Sequence, residues 1–368
     1  MKNNQTQKAG DASHQIQAET IIINNGISEQ RARDIFLEMS KATIAENTKE
    51  AESIALERIQ RLETKCILKI EEVDKVFECF SDPSFQALLK KVQLTAISTE
   101  RESDYNVLSE LLIHRIKNKT NVKKKASISK AVEIIDLIDD DSLLALTVFL
   151  AMEQFIPISG NIENGVKVID NLYSKFDLDS LPKENSWIDN LCILGAITSS
   201  SISNLKKYED YFSEALPGYV CVGIEKNSEN HHKAKEMLKS HSLSENLFED
   251  NALIENYIRL SIPNRNSIKK LMINSTINDC GKLVTISKPI TKDQIECLEE
   301  IFDMYSNDAV LLAKSKDIFY KILDSYPSFC KAKDWWNSIA YGISLTSIGK
   351  VIGHTNAKSI DHSLPELD

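Results

Sequence analysis

The sequence predicts a mainly α fold: a long N-terminal helix and a multi-helix body, preceded by a short β segment and carrying a minor β component in its C-terminal third. Three observations predict it. Gly at 11 and Pro at 8 are scarce in 368 residues, so the chain has few built-in breaks. Apolar residues recur at three- and four-residue steps over long stretches, which is the spacing of one helix face. Strand-like alternation is confined to the opening and to short runs beyond Pro217.

The opening, Met1–Ile27, carries polar residues at odd positions (Gln5, Gln7, Ser13, Gln15, Gln17). Ile16, Ala18, Thr20 and Ile22 supply the other parity, so a strand here has one dry face and one wet face. Ala9-Gly10-Asp11 and Asn24-Asn25-Gly26 supply turn chemistry. Two or three such short strands bury too little to stand alone, and their unpaired edges invite other strands. Self-association through this segment and a hairpin laid on the chain's own helices are both open at this point.

Ser28 is placed to cap the next element, with Glu29 and Gln30 at its positive end. No Pro or Gly occurs from there to Phe80. Ala51, Ala55, Ile59, Leu62, Cys66, Ile70, Val73, Phe77 and Phe80 form one apolar stripe. Unbroken, a helix over 28–80 would run about 80 Å and need a partner along that stripe, as in a coiled coil. A break near Asn47, giving two ordinary amphipathic helices, fits the same residues.

Ser81-Asp82-Pro83-Ser84 stops one helix and starts another. A helical core domain is expected over 81–216, with helical spacing from Phe85 to Lys117. The basic cluster Arg115, Lys117, Lys119, Lys123, Lys124, Lys125 and Lys130 reads as a solvated connector with no aromatic interleaving. Ala131 to Ile138 is a short helix. Asp139-Asp140-Asp141 lacks the spaced oxygens, glycine and closing glutamate of a Ca²⁺ loop, so the acids cap the helix from Leu143 to Phe155. That helix is apolar nearly all round and is the expected core helix. Further helices are expected over Val166–Phe176, Ile188–Ile197 and Ile202–Leu216.

The C-terminal domain, 217–368, is expected to mix helices with short strands. Strands are read at Tyr219–Ile224, Lys282–Ser287 and Tyr341–Leu345. Helices are read at Glu229–Lys239, Asn251–Leu260, Asn266–Asn274, Thr291–Tyr305 and Asp308–Leu323, with Thr291 as a cap.

Composition bounds the function. Lys plus Arg (44) against Asp plus Glu (54) gives a net charge of −10, which repels nucleic acid and anionic lipid except at a local basic patch. Cysteines 66, 79, 192, 221, 280, 297 and 330 stand singly without a CxxC spacing, which fits a reducing compartment. The opening has no apolar run behind its lysine, and Leu143–Met152 is too short to span a bilayer, so a cytoplasmic, non-membrane protein is expected.

Chemistry-bearing patterns are weak. Gly342 and Gly349-Lys350 lack the spacing and the following Ser or Thr of a phosphate-binding loop. His231-His232 lie on one expected helix, with His232 and Glu236 on one face of it, but a third metal ligand is lacking and they read as exposed polar surface. Trp335-Trp336 read as an anchoring pair with at least one ring in the core. Leu345-Thr346-Ser347-Ile348-Gly349 resembles the strand-to-helix exit of winged-helix DNA-binding domains over barely ten residues, without a wing hairpin or a cationic recognition helix. No catalytic, cofactor-binding or metal-ligating residue is assigned, and no cofactor.

A second resemblance rests on Gln-x-Gln-x-Ala-Gly-Asp-x-Ser-x-Gln-Ile-Gln-Ala at Gln5 to Ala18, Ile22 to Ile27, and the close Leu345 to His354. These motifs resemble an uncharacterised family of bacterial cytoplasmic proteins, and similar openings precede proteins linked to phage defence, signalling or mobile elements. The resemblance implies a bacterial interaction protein and no catalytic residue. The expectation is therefore a non-enzymatic scaffold that forms a homo-oligomer through its β opening and first helix, with a protein partner or small ligand on its body. A winged-helix-like regulator using Lys123 to Lys125, and an enzyme with an unrecognised site, are the alternatives.

Overall fold

The computed structural model describes residues 28–45, 49–70, 76–118, 121–279 and 282–367. The expected β opening lies outside them. The chain enters through α1 (Glu29–Ile44), where the Ser28 hydroxyl accepts the Arg31 amide, and α2 (Lys49–Ile70). Among the described residues of 28–80 there are two α-helices and a 3-10 turn that starts at Val76, with 46–48 and 71–75 outside the described residues. The stripe read from the sequence is real within α2: Ala55, Ile59, Leu62 and Cys66 are buried. Its partner is the chain's own α3 (Pro83–Ser98) and α4 (Glu102–Lys117), against which α2 packs. Asp82 caps α3 by accepting the Ser84 amide, and Pro83 occupies the first turn.

Next come α5 (Val122–Ile134), α6 (Asp140–Gln154), α7 (Ile162–Tyr173), α8 (Ser186–Ile193), β1 (Ile197–Ser200), α9 (Tyr208–Ala215) and the single turn α10 (Pro217–Val220). The Asp139 carboxylate accepts the Ser142 amide at 2.7 Å, and α6 is buried almost all round. Two expectations fail here. The helix expected from Ile202 begins only at Tyr208, and the strand expected over Tyr219–Ile224 is a helical turn followed by the two-residue β2 (Ile224–Glu225). Pro217 favours that turn because its fixed φ suits a first helical position.

Beyond β2 lie α11 (Glu229–Ser240), β3 (Phe248–Asp250), β4 (Tyr257–Leu260), α12 (Arg265–Ile268), β5 (Met272–Asp279) and β6 (Lys282–Pro289). The helices expected over Asn251–Leu260 and Asn266–Asn274 are therefore mostly strand and turn. Asn256, at φ 65°, reverses the chain into β4, which pairs antiparallel with both β2 and β3. β5 and β6 form an antiparallel ribbon from Met272↔Pro289 to Asp279↔Lys282.

The chain closes through α13 (Lys292–Asp303), α14 (Ala309–Leu323), α15 (Pro327–Ser338), β7 (Gly342–Leu345) and α16 (Ser347–Ile360). Thr291 and Gln294 form a full capping box on α13. β7 pairs antiparallel with β1, bringing residues 144 positions apart opposite each other at Ser199↔Ile343 in one two-stranded sheet. Thr346 then caps α16, which is buried from Val351 to Ala357 and packs on α6, α4 and α5. At the crossing, a Cβ on Gly353 would lie 3.1 Å from the Leu146 carbonyl oxygen, so glycine lets α16 approach α6 closely.

Two hydrophobic cores result. The larger takes in α1 to α10, Leu253 and Ile254, and returns to residues 319–357. The smaller is built from residues between Ile224 and Tyr305, around Leu238, Leu260, Ile268, Leu298 and Ile301.

A candidate binding cleft where the two cores meet

The two cores are joined through β4. Arg259 is 1% exposed and donates to the carbonyls of Gly160 (2.8 Å) and Gly218 (3.1 Å). It also pairs with Glu249, whose other oxygen accepts the Ser261 hydroxyl. The guanidinium stands 5.8 Å from the Tyr219 ring centroid, and the Tyr219 hydroxyl donates to the Ser159 carbonyl at 2.5 Å. The backbones touch: a Cβ on Gly160 would fall 1.8 Å from the Ser261 carbonyl carbon. Planar guanidinium geometry suits this role, since one buried side chain satisfies carbonyls from two separate segments.

Beside this joint lies a cleft of about 520 Å³, walled by Pro217, Cys221, Asn264, Arg265, Phe302 and Tyr305 among others. Arg265 sits 5.4 Å from the Phe302 centroid and pairs with Asp303 at 2.5 Å. Asn264 is committed at both ends: its oxygen caps α12, and its amide donates to the Ala215 carbonyl. The Tyr305 hydroxyl accepts the Leu260 amide at 2.7 Å, and burial raises its pKa well above the ordinary phenol value. Burial likewise pushes the Cys221 thiol up to about 12 against the pull of Arg259, and the thiol donates to the Gly218 carbonyl. A thiol so held stays protonated at neutral pH and is a poor nucleophile. The cleft offers the Arg265 cation, the Glu214 carboxylate, amides and aromatic faces, which is equipment for holding a ligand.

The patterns singled out in the sequence fall elsewhere. Lys123, Lys124 and Lys125 are not a connector but the first turn of α5, because Asn121 caps that helix through the Lys124 amide. Arg115 is buried and bonded to Asp82 and Ser84, so it leaves the basic cluster; Lys119 lies outside the described residues. His231 is not an exposed polar residue: it is buried, and its Nδ1 accepts the Asn227 amide at 2.9 Å. Among the described residues, no group of three or more His, Cys, Asp and Glu is placed to hold a metal.

Both tryptophans are buried. Trp336 stacks on Phe149 at 4.6 Å, and each indole N–H has a carbonyl acceptor, Pro182 for Trp335 and Lys206 for Trp336. The helix after Leu345-Thr346 is enclosed by α4, α5 and α6, so it is not available to enter a DNA groove. Among the described residues, no helix is long and apolar enough to cross a membrane.

A family model whose description gives no activity, ligand or partner matches residues 26–364. No curated protein and no solved structure matches the chain. The match includes the Leu345–His354 motif and leaves out the Gln5–Ala18 motif.

Proposed function

The chain belongs to the family whose model spans residues 26–364, and on that premise we propose that it is a non-enzymatic interaction protein. It self-associates through its N-terminal segment and first helices, and its body holds a partner or small ligand in the cleft beside Arg265. The observation that supports self-association is the presence of exposed apolar side chains on α1 and α2. Leu37, Ile54 and Leu56 are exposed there, on the two helices that follow the opening segment. What supports ligand holding is the character of the cleft, whose thiol and phenol are fixed by burial and hydrogen bonds.

The same reading places the protein in the bacterial cytoplasm as a homo-oligomer with a coiled-coil-like contact between first helices. A link to phage defence or mobile elements rests on the resemblance of its motifs alone. Light-scattering mass tests the proposal. Removing Met1–Ile27 is expected to lower the mass to that of one chain, and Leu37→Glu with Ile54→Glu in the full-length chain is expected to lower it towards the same value. An unchanged mass in both variants overturns it.

A further inference from the structure

Away from the joint, residues 361–367 fold back over a pocket between α4, α5 and α16. Glu366 Oε1 accepts from Lys117 Nζ (2.7 Å) and Lys358 Nζ (2.6 Å), while Lys124 Nζ donates to the Leu367 carbonyl at 3.3 Å. Pro365 supplies its carbonyl to His354 Nε2 at 2.8 Å. Asp361, paired with Lys175 at 2.6 Å, anchors the start of the strap. Next to Glu366 a pocket of about 200 Å³ remains, lined by His114, Lys117, Asn118 and Lys124 among others.

The carboxylate underfills this place. Two lysines share one of its oxygens, and the other lies 3.7 Å from His114 Nε2, too far for a hydrogen bond. His114 is 5% exposed, and its Nε2 has no hydrogen-bond partner. The nearby Glu110 is already paired with Lys69 at 2.7 Å. Helix electrostatics add to the excess of positive charge: α5 begins with Lys123, Lys124 and Lys125 and has no acid in its first turn. Cations at that end oppose the helix dipole, which favours an anion there.

We infer that the place held by the Glu366 carboxylate, between Lys117, Lys358 and His114 and beside the pocket that Lys124 lines, is a binding site for a phosphate-type oxyanion, which Glu366 occupies in its place as a displaceable plug. A tetrahedral oxyanion has oxygens to spare: it can meet both lysines and still reach His114 Nε2, which a two-oxygen carboxylate does not. Displacement of Glu366 also frees residues 361–367 from their hold on His354 and Lys124, so binding would change the exposure of the strap.

Calorimetric titration of the full-length protein with inorganic phosphate, at constant ionic strength, tests the site. Glu366→Gln removes the competing charge and is expected to bind phosphate about tenfold more tightly than the unaltered chain. Adding Lys117→Met and Lys358→Met to that variant is expected to abolish binding. Glu366 is half exposed, so the glutamine variant keeps the packing, which its circular dichroism checks. In NMR spectra of the same variant, the His114 ring protons are expected to shift on adding phosphate. A phosphate monoester such as glycerol phosphate serves as a second arm; tighter binding of the ester marks a phosphorylated small molecule, and equal binding marks free phosphate. Equal phosphate binding by the single and triple variants, or unmoved His114 signals at saturation, overturns the assignment.

Discussion

Arg259 Nη2 donates to the carbonyl oxygen of Gly160 across 99 residues of sequence, and that bond ties the smaller core to the larger. The same guanidinium serves Gly218 and Glu249, so removing it strands the Gly160 carbonyl and takes the charged donor from the other two, which keep the Cys221 thiol and the Ser261 hydroxyl. Arg259→Met is expected to lower stability by about 2–4 kcal/mol, the lower part of the range for a broken buried pair because Glu249 keeps partial access to water. Arg259→Lys should recover little, since an ammonium cannot span the same acceptors. Thermal unfolding of both variants checks this, and a melting temperature within a degree or so of the unaltered chain for Arg259→Met contradicts it.

The Asp139-Asp140-Asp141 run offers a sharper choice between two readings. In the structure Asp139 Oδ1 accepts the Ser142 amide at 2.7 Å and Oδ2 accepts the Ser142 hydroxyl at 2.9 Å, which is capping geometry. Asp139→Ala is therefore expected to cost about 1 kcal/mol, and Asp139→Asn distinctly less. Neither calcium nor a chelator should move the melting temperature of the unaltered protein. A calcium-dependent rise that Asp139→Ala removes would favour metal binding instead.

How much was legible depended on where the physical signal was local. Capping is local, so Asp82, Asp139, Thr291 and Thr346 could be read from residues within one helical turn. The all-round burial of α6 was equally legible, from a run in which both faces are apolar. The stretch 251–279 was not. Leu253, Ile254, Tyr257 and Ile258 fall at helix-like intervals, yet they belong to a turn and a four-residue strand too short to display a period of two. Asn121 carried a usable cap signal for α5 that the lysines beside it obscured. The two pockets were out of reach. Arg259 meets Gly160, and Glu366 meets Lys117, across 99 and 249 residues, and no spacing rule connects such partners.

Asn356 and Thr147 join the two central helices from inside. Asn356 Nδ2 donates to Thr147 Oγ1 at 2.8 Å, and that hydroxyl donates in turn to the Leu143 carbonyl, with both side chains buried. Thr147→Val preserves shape but leaves the Asn356 amide without its acceptor in a site closed to water. The expected loss is about 1–3 kcal/mol. Pairing it with Asn356→Leu should recover part of that loss, because the stranded polar group is then gone. Denaturant midpoints of the two single variants and the double variant give the coupling; strictly additive losses would show that the bond contributes nothing of its own.

Acid sensitivity should trace to the histidines beneath the strap. Burial, with help from the neighbouring His354, lowers the His114 pKa from 6.5 to about 4, and burial also lowers that of His354 despite the Pro365 carbonyl. Between those values the unfolded chain binds the proton that folded His114 refuses. Stability therefore rises with pH across that window and falls as pH drops from about 6.5 towards 4, by roughly 3 kcal/mol for His114 alone. Glu366 acts lower on the scale. Burial would raise its carboxyl, but the hydrogen bonds from Lys117 and Lys358 outweigh that and bring it to about 2, below its ordinary 4.5. Its contribution is present above pH 4.5 and fades between there and 2. His114→Gln should thus flatten the stability curve between pH 6.5 and 4 and leave the loss below 4.5 in place, whereas Glu366→Gln should do the reverse. Urea midpoints measured from pH 3 to 8 separate the two, and a curve for His114→Gln parallel to that of the unaltered chain would remove the histidine from the account.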